Sequence, residues 1–386
     1  MTTTLKTAAA RFANWAQQDA LPLWYQTAGD ATGGFFEDLT MDGVPRKDEI
    51  RRVRVQPRQA YVYAHAHMLG WAECGQAASD HGFDYMMEKA TGTSATDGSF
   101  AGIAHRLHAD GSVSDPKRDT YDHAFVLLAC AWRFDAFGDT EARKTAAACL
   151  RYLDQTMGQP DGSFLEGDPA SLPRRQNPHM HLFEAFMALA RATGDAAYTG
   201  RARRIFALFE THFFDARNGV LLEFFNQDWS LNADKGDIIE PGHMVEWVWL
   251  LDQYQELTGT DVSAYMTPLY DNAIRLGTDA KSGFLVDAIS MTPGKAIPAT
   301  RRTWVQTEYI KSSLVMARRG RPELATKAAE LIDMLFATYL NTEVQGGYID
   351  QFGADGKMIS TVMPTSTLYH LISAAAEAKK TVEALG

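Results

Sequence analysis

The sequence predicts an all-α fold, an (α/α)6 toroid of six inner and six outer helices with short β-hairpin inserts. Three observations predict it. A Gly followed by Phe, Tyr, Ser or Val opens a strand-like run six times, at Gly34-Phe35, Gly98-Ser99-Phe100, Gly162-Ser163-Phe164, Gly219-Val220, Gly283-Phe284 and Gly347-Tyr348. The steps between them are 64, 64, 57, 64 and 64 residues. Between these signals run two kinds of helical stretch, one amphipathic and one almost wholly apolar. No Pro/Gly/Ser-rich linker or low-complexity segment interrupts the chain. An internal period outweighs local propensity, because each unit buries its apolar face against the next.

Taken in order, Thr3–Ala20 carries apolar residues at helical spacing with charge opposite, which marks an outer helix. After Gly34, Gln59–Trp71 reads as the first inner helix. After Gly98, Tyr121–Phe134 is apolar nearly all round, as in the run from Phe125 to Trp132, so it is enclosed by protein. Thr140–Thr156 returns to the outer pattern, His179–Thr193 is inner and Ala197–Thr211 outer. His243–Thr258 contains Val245-Glu246-Trp247-Val248-Trp249-Leu250-Leu251 and is again inner. Trp304–Arg318 is inner, Pro322–Leu340 outer, and Thr365–Ala378 the last inner helix. Residues 1–386 therefore read as one closed domain, although length alone would favour two.

Composition bounds the setting. Hydrophobic residues make up 46% of the chain, enough for a large core. The net charge of −11 argues against nucleic acid and anionic membranes as partners. No apolar run approaches the roughly 18 residues of a spanning helix, and Met1–Phe12 lacks the apolar core of a secretory signal, which together suggest a cytoplasmic protein. Cys74, Cys130 and Cys149 have neither disulfide nor zinc spacing and read as reduced thiols. Phosphate-cradling and dinucleotide-binding glycine motifs are absent, so no cofactor is expected.

In a toroid the loops leading into the inner helices gather at one end of the axis, and polar residues at those starts converge. The candidates are Arg58, Tyr121, His181, His243, Trp304 with Glu308, and His370, one group per repeat and roughly in phase. A single histidine on an apolar helix is commonly a core residue, but His181, His243 and His370 stand at nearly equivalent positions of three repeats. Glu184 and Glu246 follow His181 and His243 by three residues, where a helix brings side chains together. A carboxylate bonded to an imidazole fixes its tautomer and raises its basicity, as acid/base catalysis requires. A buried structural pair would look the same. Arg58, one residue after Pro57, suits the first helical turn; it serves a developing anion or a salt bridge to Glu308 or Glu246. His65 with His67 and His179 with His181 are two residues apart and face opposite ways, whereas His105, His108 and His123 are rim candidates. Trp304, Tyr121, Phe35, Phe100 and Trp247 offer flat faces for sugar rings or for the core.

Several strings, in order along nearly the whole chain, carry a resemblance. They include Gly33-Gly34-Phe35-Phe36-Glu37, Arg52-Val53-Arg54-Val55-Gln56-Pro57-Arg58-Gln59 and Asn177-Pro178-His179-Met180-His181-Leu182-Phe183-Glu184-Ala185. Pro241-Gly242-His243-Met244-Val245-Glu246-Trp247, Trp304-Val305-Gln306-Thr307-Glu308 and Leu368-Tyr369-His370 complete them. Together the chain resembles the N-acylglucosamine 2-epimerase superfamily, and within it the D-mannose isomerases. The resemblance implies an (α/α)6 barrel and a cofactor-independent aldose–ketose isomerase acting on D-mannose or D-lyxose, or else a sugar 2-epimerase. It implies that His243 and His370 are the acid/base pair, that His181 assists ring opening or holds a hydroxyl, that Arg58 binds the carbonyl oxygen and that Glu246 orients His243. Asn177, Tyr121, Trp304 and Glu308 would line the sugar pocket. Relatives in the isomerase branch often carry an acidic residue shortly before the last histidine, where this chain has Ser366 and Thr367, so the resemblance does not extend to hydroxyl contacts from that loop.

The chemistry accords with these residue types. Moving a carbonyl between C1 and C2 needs a base for the C2 proton and a cation for the enediolate, each worth about two to four orders of magnitude in rate. The expected partner is a monosaccharide, without nucleic acid, membrane or metal; a homodimer is compatible with the outer helices. Three readings compete. A metal could sit on His181, His243 and His370, with Arg58 as an unfavourable neighbour. A glycoside hydrolase would use Glu246 and Glu308 as its two carboxylates. A sugar- or protein-binding module would use the aromatic mouth without catalysis.

Overall fold

The computed structural model describes residues 4–94, 96 and 98–386. Thirteen α-helices follow one another: α1 Leu5–Trp15, α2 Leu21–Gln26, α3 Val55–Met68, α4 Gly75–Lys89, α5 Thr120–Phe137, α6 Thr140–Thr156, α7 Asn177–Thr193, α8 Ala196–Leu208, α9 Pro241–Thr258, α10 Ser263–Gly277, α11 Thr303–Arg318, α12 Glu323–Thr338 and α13 Leu368–Leu385. Helices α3, α5, α7, α9, α11 and α13 pack side by side in a closed inner ring, with α13 returning to α3. Helix α1, extended by the turn Ala16–Ala20 and by α2, joins α4, α6, α8, α10 and α12 outside it. The expected toroid is present. Thr3, where the first helix was expected to start, lies outside the described residues; Thr4 caps α1 by accepting the Thr7 N–H.

Burial explains the two kinds of sequence pattern. Helix α6 buries Ala142, Ala146, Cys149, Leu150 and Leu153, one stripe at helical spacing, and leaves the opposite face wet. Helix α5 buries twelve of its eighteen residues, including the unbroken run His123–Ala131, because neighbours cover it on all sides. Each fully buried Leu, Val or Phe there contributes about 1.5–3 kcal/mol of transfer free energy. The turns between the layers are encoded locally. Gly138 takes φ 68° at the end of α5, a conformation that favours glycine, and Asp139 then caps α6 by accepting the Glu141 and Ala142 N–H groups. Helices α4 and α10, which the sequence pattern does not delimit, begin on Gly75 and contain Pro268 respectively, so their helical signals are diluted. Cys130 and Cys149 are buried free thiols, pushed up by burial, and Cys74 is an exposed one.

Short strands form a collar at one end of the axis, and their register numbers the repeats. The strand leading into each inner helix pairs antiparallel with the strand that follows the glycine signal of the next repeat. Arg52 lies opposite Arg106, Asp119 opposite Gly167, Arg175 opposite Phe224, Ile239 opposite Ile289 and Arg302 opposite Gln351. Pro364 lies opposite Asp38, which closes the ring on the first repeat. Arg52, Asp119, Arg175, Glu240, Arg302 and Pro364 are therefore equivalent positions at the ends of six lead-in strands. One residue before each position's partner, with Glu240 continuing the register to Ala288, stand six more equivalents: Glu37, His105, Glu166, Glu223, Asp287 and Asp350. Among the described residues no helix is long and apolar enough to cross a membrane.

Candidate active site

Counting six residues inward from the collar gives Arg58, Phe125, His181, Glu246, Glu308 and His370, one side chain from each inner helix. Four of these, Arg58, His181, Glu246 and His370, form the floor of a cavity of about 240 Å3. His181 and His370 are equivalent, as expected. His243 is not: it stands three residues nearer the mouth than its counterpart Glu246, so the histidines occupy two levels. Arg58, Tyr121, Asn177, His181, His243, Glu246, Trp304 and His370 all line the cavity. Glu308, expected in the pocket wall, is fully buried behind His370 and is not among the lining residues.

Each cavity histidine presents Nδ1 to a carboxylate. His181 Nδ1 lies 3.1 Å from Glu184 Oε2, which Tyr369 Oη also contacts at 2.7 Å. His370 Nδ1 lies 2.8 Å from Glu308 Oε1. His243 Nδ1 lies 3.1 Å from Glu223 Oε2 and 3.3 Å from Glu240 Oε2. The sequence pairs His243 with Glu246, but three residues along a helix do not bring these two together here, because His243 turns outward to the collar carboxylates. With Nδ1 engaged, Nε2 is the nitrogen left for a ligand.

Their environments separate the imidazoles. Burial disfavours the charged form of His243, but Glu223 and Glu240 outweigh it and hold the group at about 10, so it is a cation at neutral pH. Burial, reinforced by Arg58 and Lys311, holds His370 well below the ordinary histidine range. Its contact with Glu308 would favour protonation, but Lys311 Nζ lies 2.7 Å from the other Glu308 oxygen and already balances that carboxylate. His370 is neutral. His181 is also lowered, by burial against the opposing pull of Glu184. Burial and the neighbouring Glu308 push Glu246 well above the ordinary carboxylate range, which favours its protonated form. Glu246 Oε1 has no hydrogen-bond partner among the described residues. Burial and Glu223 raise Glu240 to about 7, against the pull of His243.

Trp304 lies between the two acid/base candidates, its ring centroid 5.2 Å from His243 and 5.6 Å from His370. Gly242 makes room for it, since a Cβ there would come within 2.7 Å of the indole. Arg58 forms no salt bridge with Glu308 or Glu246. Its guanidinium donates to Tyr121 Oη at 2.5 Å and to the Ser366 carbonyl at 3.3 Å, and stacks 4.1 Å over Phe125. Its charge is thus uncompensated by any carboxylate within 4.0 Å among the described residues.

Other histidines do structural work. His123 Nε2 accepts the Ile103 N–H and His179 Nε2 the Phe164 N–H, the same service that Gln56 and Gln306 give Phe35 and Leu285. His105 is tied to Asp122 at 2.5 Å. His65 lines a separate cavity at the far end of the inner helices. Two groups bring possible metal-ligand atoms within 4.8 Å, Glu223–Glu240–His243 and Glu246–Glu308–His370. Each already holds a cation of the protein's own, His243 in the first and Lys311 beside the second. The three cavity histidines commit Nδ1 to carboxylates on three sides, and they do not form a joint metal group among the described residues. Sequence reasoning missed Glu223, Glu240, Arg302 and Asp350. The repeat held the signal for Glu223 and Asp350, since an acidic residue follows five of the six glycines by three or four residues.

A toroid that gathers histidines, carboxylates and an arginine around one cavity has the groups for proton transfer, and its relatives give the class, sugar isomerases and epimerases. The chain is an isomerase, and it belongs to the N-acylglucosamine 2-epimerase family, matching it over residues 34–374. It is 34% identical over 376 residues to a mannose-6-phosphate isomerase of Rhizobium meliloti, covering 95% of both chains. It is 29% identical over 367 residues to a D-mannose isomerase of Thermobifida fusca, covering 89% of this chain and 88% of that one. A crystal structure of a D-mannose isomerase superposes with a TM-score of 0.85 at 21% identity, covering 97% and 98% of the two chains. At that identity the superposition shows the shared toroid.

Proposed function

We propose that residues 1–386 form one catalytic unit, a cofactor-independent aldose–ketose isomerase that converts D-mannose to D-fructose, with D-lyxose to D-xylulose as a second reaction. The observation that carries this reading is the pair of imidazoles flanking Trp304, His243 held by two carboxylates and His370 by a carboxylate that Lys311 already balances, surroundings that favour the cation in the first and the neutral form in the second. An open-chain aldose lying against the indole would meet both.

The steps follow from the charges. Arg58 and the His243 imidazolium polarise the C1 carbonyl, and His370 Nε2 takes the C2 proton. His243 gives its proton to O1, which makes an enediol. His370 returns its proton to C1, the O2–H proton passes to His243, and the C2 carbonyl forms. Atoms and charges balance, and both histidines end as they began. Protonated Glu246 is placed to donate to a sugar oxygen, and His181 with Glu184 to assist ring opening. Asn177 and Tyr121 hold hydroxyls. Glu308 acts from behind His370 as its partner, which leaves the two-carboxylate hydrolase reading without a second cavity carboxylate at that place.

An unphosphorylated sugar is favoured because the other cavity arginines face carboxylates: Arg52 with Glu37, Arg54 with Asp122 and Arg302 with Asp287. Proton NMR of D-mannose incubated with the protein in D2O tests the proposal. Fructose signals are expected. No fructose sinks the isomerase assignment. Glucose instead marks a 2-epimerase, and turnover confined to mannose 6-phosphate or N-acetylmannosamine moves the substrate to those classes.

A further inference from the structure

The six collar positions that follow the glycine signals are occupied by Glu37, His105, Glu166, Glu223, Asp287 and Asp350, and five of them have strong partners. Glu37 accepts the Arg52 backbone N–H at 2.8 Å and Glu166 the Arg175 N–H at 3.0 Å, each also paired with that arginine's guanidinium. Asp287 accepts the Arg302 N–H at 2.6 Å. Glu223 holds His243, and His105 is held by Asp122. Asp350 differs. At the place where those three repeats supply an arginine, its own repeat has Pro364, which offers neither an N–H nor a charge. The Thr367 hydroxyl donates to Asp350 Oδ1 at 3.0 Å, and no cation lies within 4.0 Å of Asp350 among the described residues.

Asp350 nevertheless lines the catalytic cavity, on the collar side, with the imidazole and guanidinium floor at the other end. A carboxylate has room for about four hydrogen bonds, and nothing else in its repeat fills them. We propose that Asp350 is a substrate-binding residue that accepts hydrogen bonds from the hydroxyls of the sugar remote from its C1–C2 edge, and so sets which sugars are held. The inference rests on the sugar-isomerase reading only in taking the ligand to be a neutral polyol. Burial raises Asp350 from its ordinary value against the pull of the Thr367 hydroxyl and the more distant Arg302 and Arg52. Glu240 lines the same cavity as a second acidic group, and the arginines there, Arg52, Arg54 and Arg302, face carboxylates of their own.

The test is the steady-state kinetics of D350N against wild type, on whichever aldose the wild type turns over, with calorimetric binding of mannitol alongside. KM is expected to rise about tenfold, kcat to fall less than roughly threefold, and mannitol affinity to weaken by about the same factor as KM. A deoxy sugar that lacks the contacted hydroxyl should bind both proteins alike. A second variant, P364R, places an arginine where the first, third and fifth repeats have one. It should raise KM with Asp350 intact and add little in the D350N background, whereas a merely steric effect would add fully. Unchanged KM and mannitol affinity in D350N, or a loss confined to kcat, overturns the proposal. Wild type that neither isomerises nor epimerises any aldose overturns the functional reading instead.

Discussion

The first, third and fifth repeats differ from the fourth and sixth at the collar, and the difference separates scaffold from chemistry. In the odd repeats a carboxylate is tied to the arginine that ends the lead-in strand, Glu37 to Arg52, Glu166 to Arg175 and Asp287 to Arg302. These are staples between the segment that follows the glycine signal and the strand that leads into the inner helix. In the fourth repeat the arginine is replaced by Glu240, and the two acids draw in His243 from one turn below. In the sixth it is replaced by Pro364, and Asp350 is left facing the cavity. A fold built from one unit makes a site by removing a counter-ion, because the carboxylate left behind recruits a proton or a ligand.

The largest effect expected from breaking this contrast is at the floor. H370A and H243A should each lower kcat by about three orders of magnitude, with circular dichroism and melting unchanged in form. Retained turnover in either would remove that residue from the acid/base role. Next, R58Q should cost about two orders of magnitude in kcat, since the charge on the developing enediolate loses its cation.

An intermediate effect should come from E223Q. His243 is raised to about 10 by Glu223 and Glu240, so it stays protonated through neutral pH, and activity should fall as pH rises through that value. Removing Glu223 lowers the proton affinity of His243, so the alkaline limb of the kcat profile should move to lower pH. The linkage has the same sign. A raised histidine gives stability that is fully present below its unfolded value near 6.5 and is lost as pH rises towards 10. Melting temperature should therefore decline across that window in wild type and decline less in E223Q. A profile identical in both proteins would show that Glu223 does not govern His243.

The smallest effect belongs to an odd-repeat staple. E166Q should leave kcat and KM as they are and cost about 1 kcal/mol of stability in urea unfolding, since Arg175 is partly exposed and its pairing screened. A drop in activity as large as that of E223Q would erase the distinction between the two kinds of repeat.

Legibility in the sequence followed the physics of each feature. The glycine period, the apolar inner stretches and the polar starts identified the toroid and eight of the nine cavity candidates, because burial and turn geometry act through neighbours in the chain. Glu308 was misplaced because it stands at the expected level but is covered by His370 and Lys311, a side-chain packing that periodicity does not resolve. The partner of His243 was misassigned because Glu246 is near in sequence, whereas Glu223 arrives from a collar strand twenty residues away. The rank of His243 among the histidines failed likewise, since the lead-in strands alone give the register.

By itself, then, the chain determined a six-fold ring and the kinds of groups at its mouth, since periodic burial and residue chemistry are written locally. Only the tertiary structure decided which carboxylate meets which histidine, and hence which imidazole is charged. Those pairings depend on strand register between repeats and on a low-dielectric interior, where a single buried Lys311 or a missing arginine outweighs any feature of the adjacent sequence.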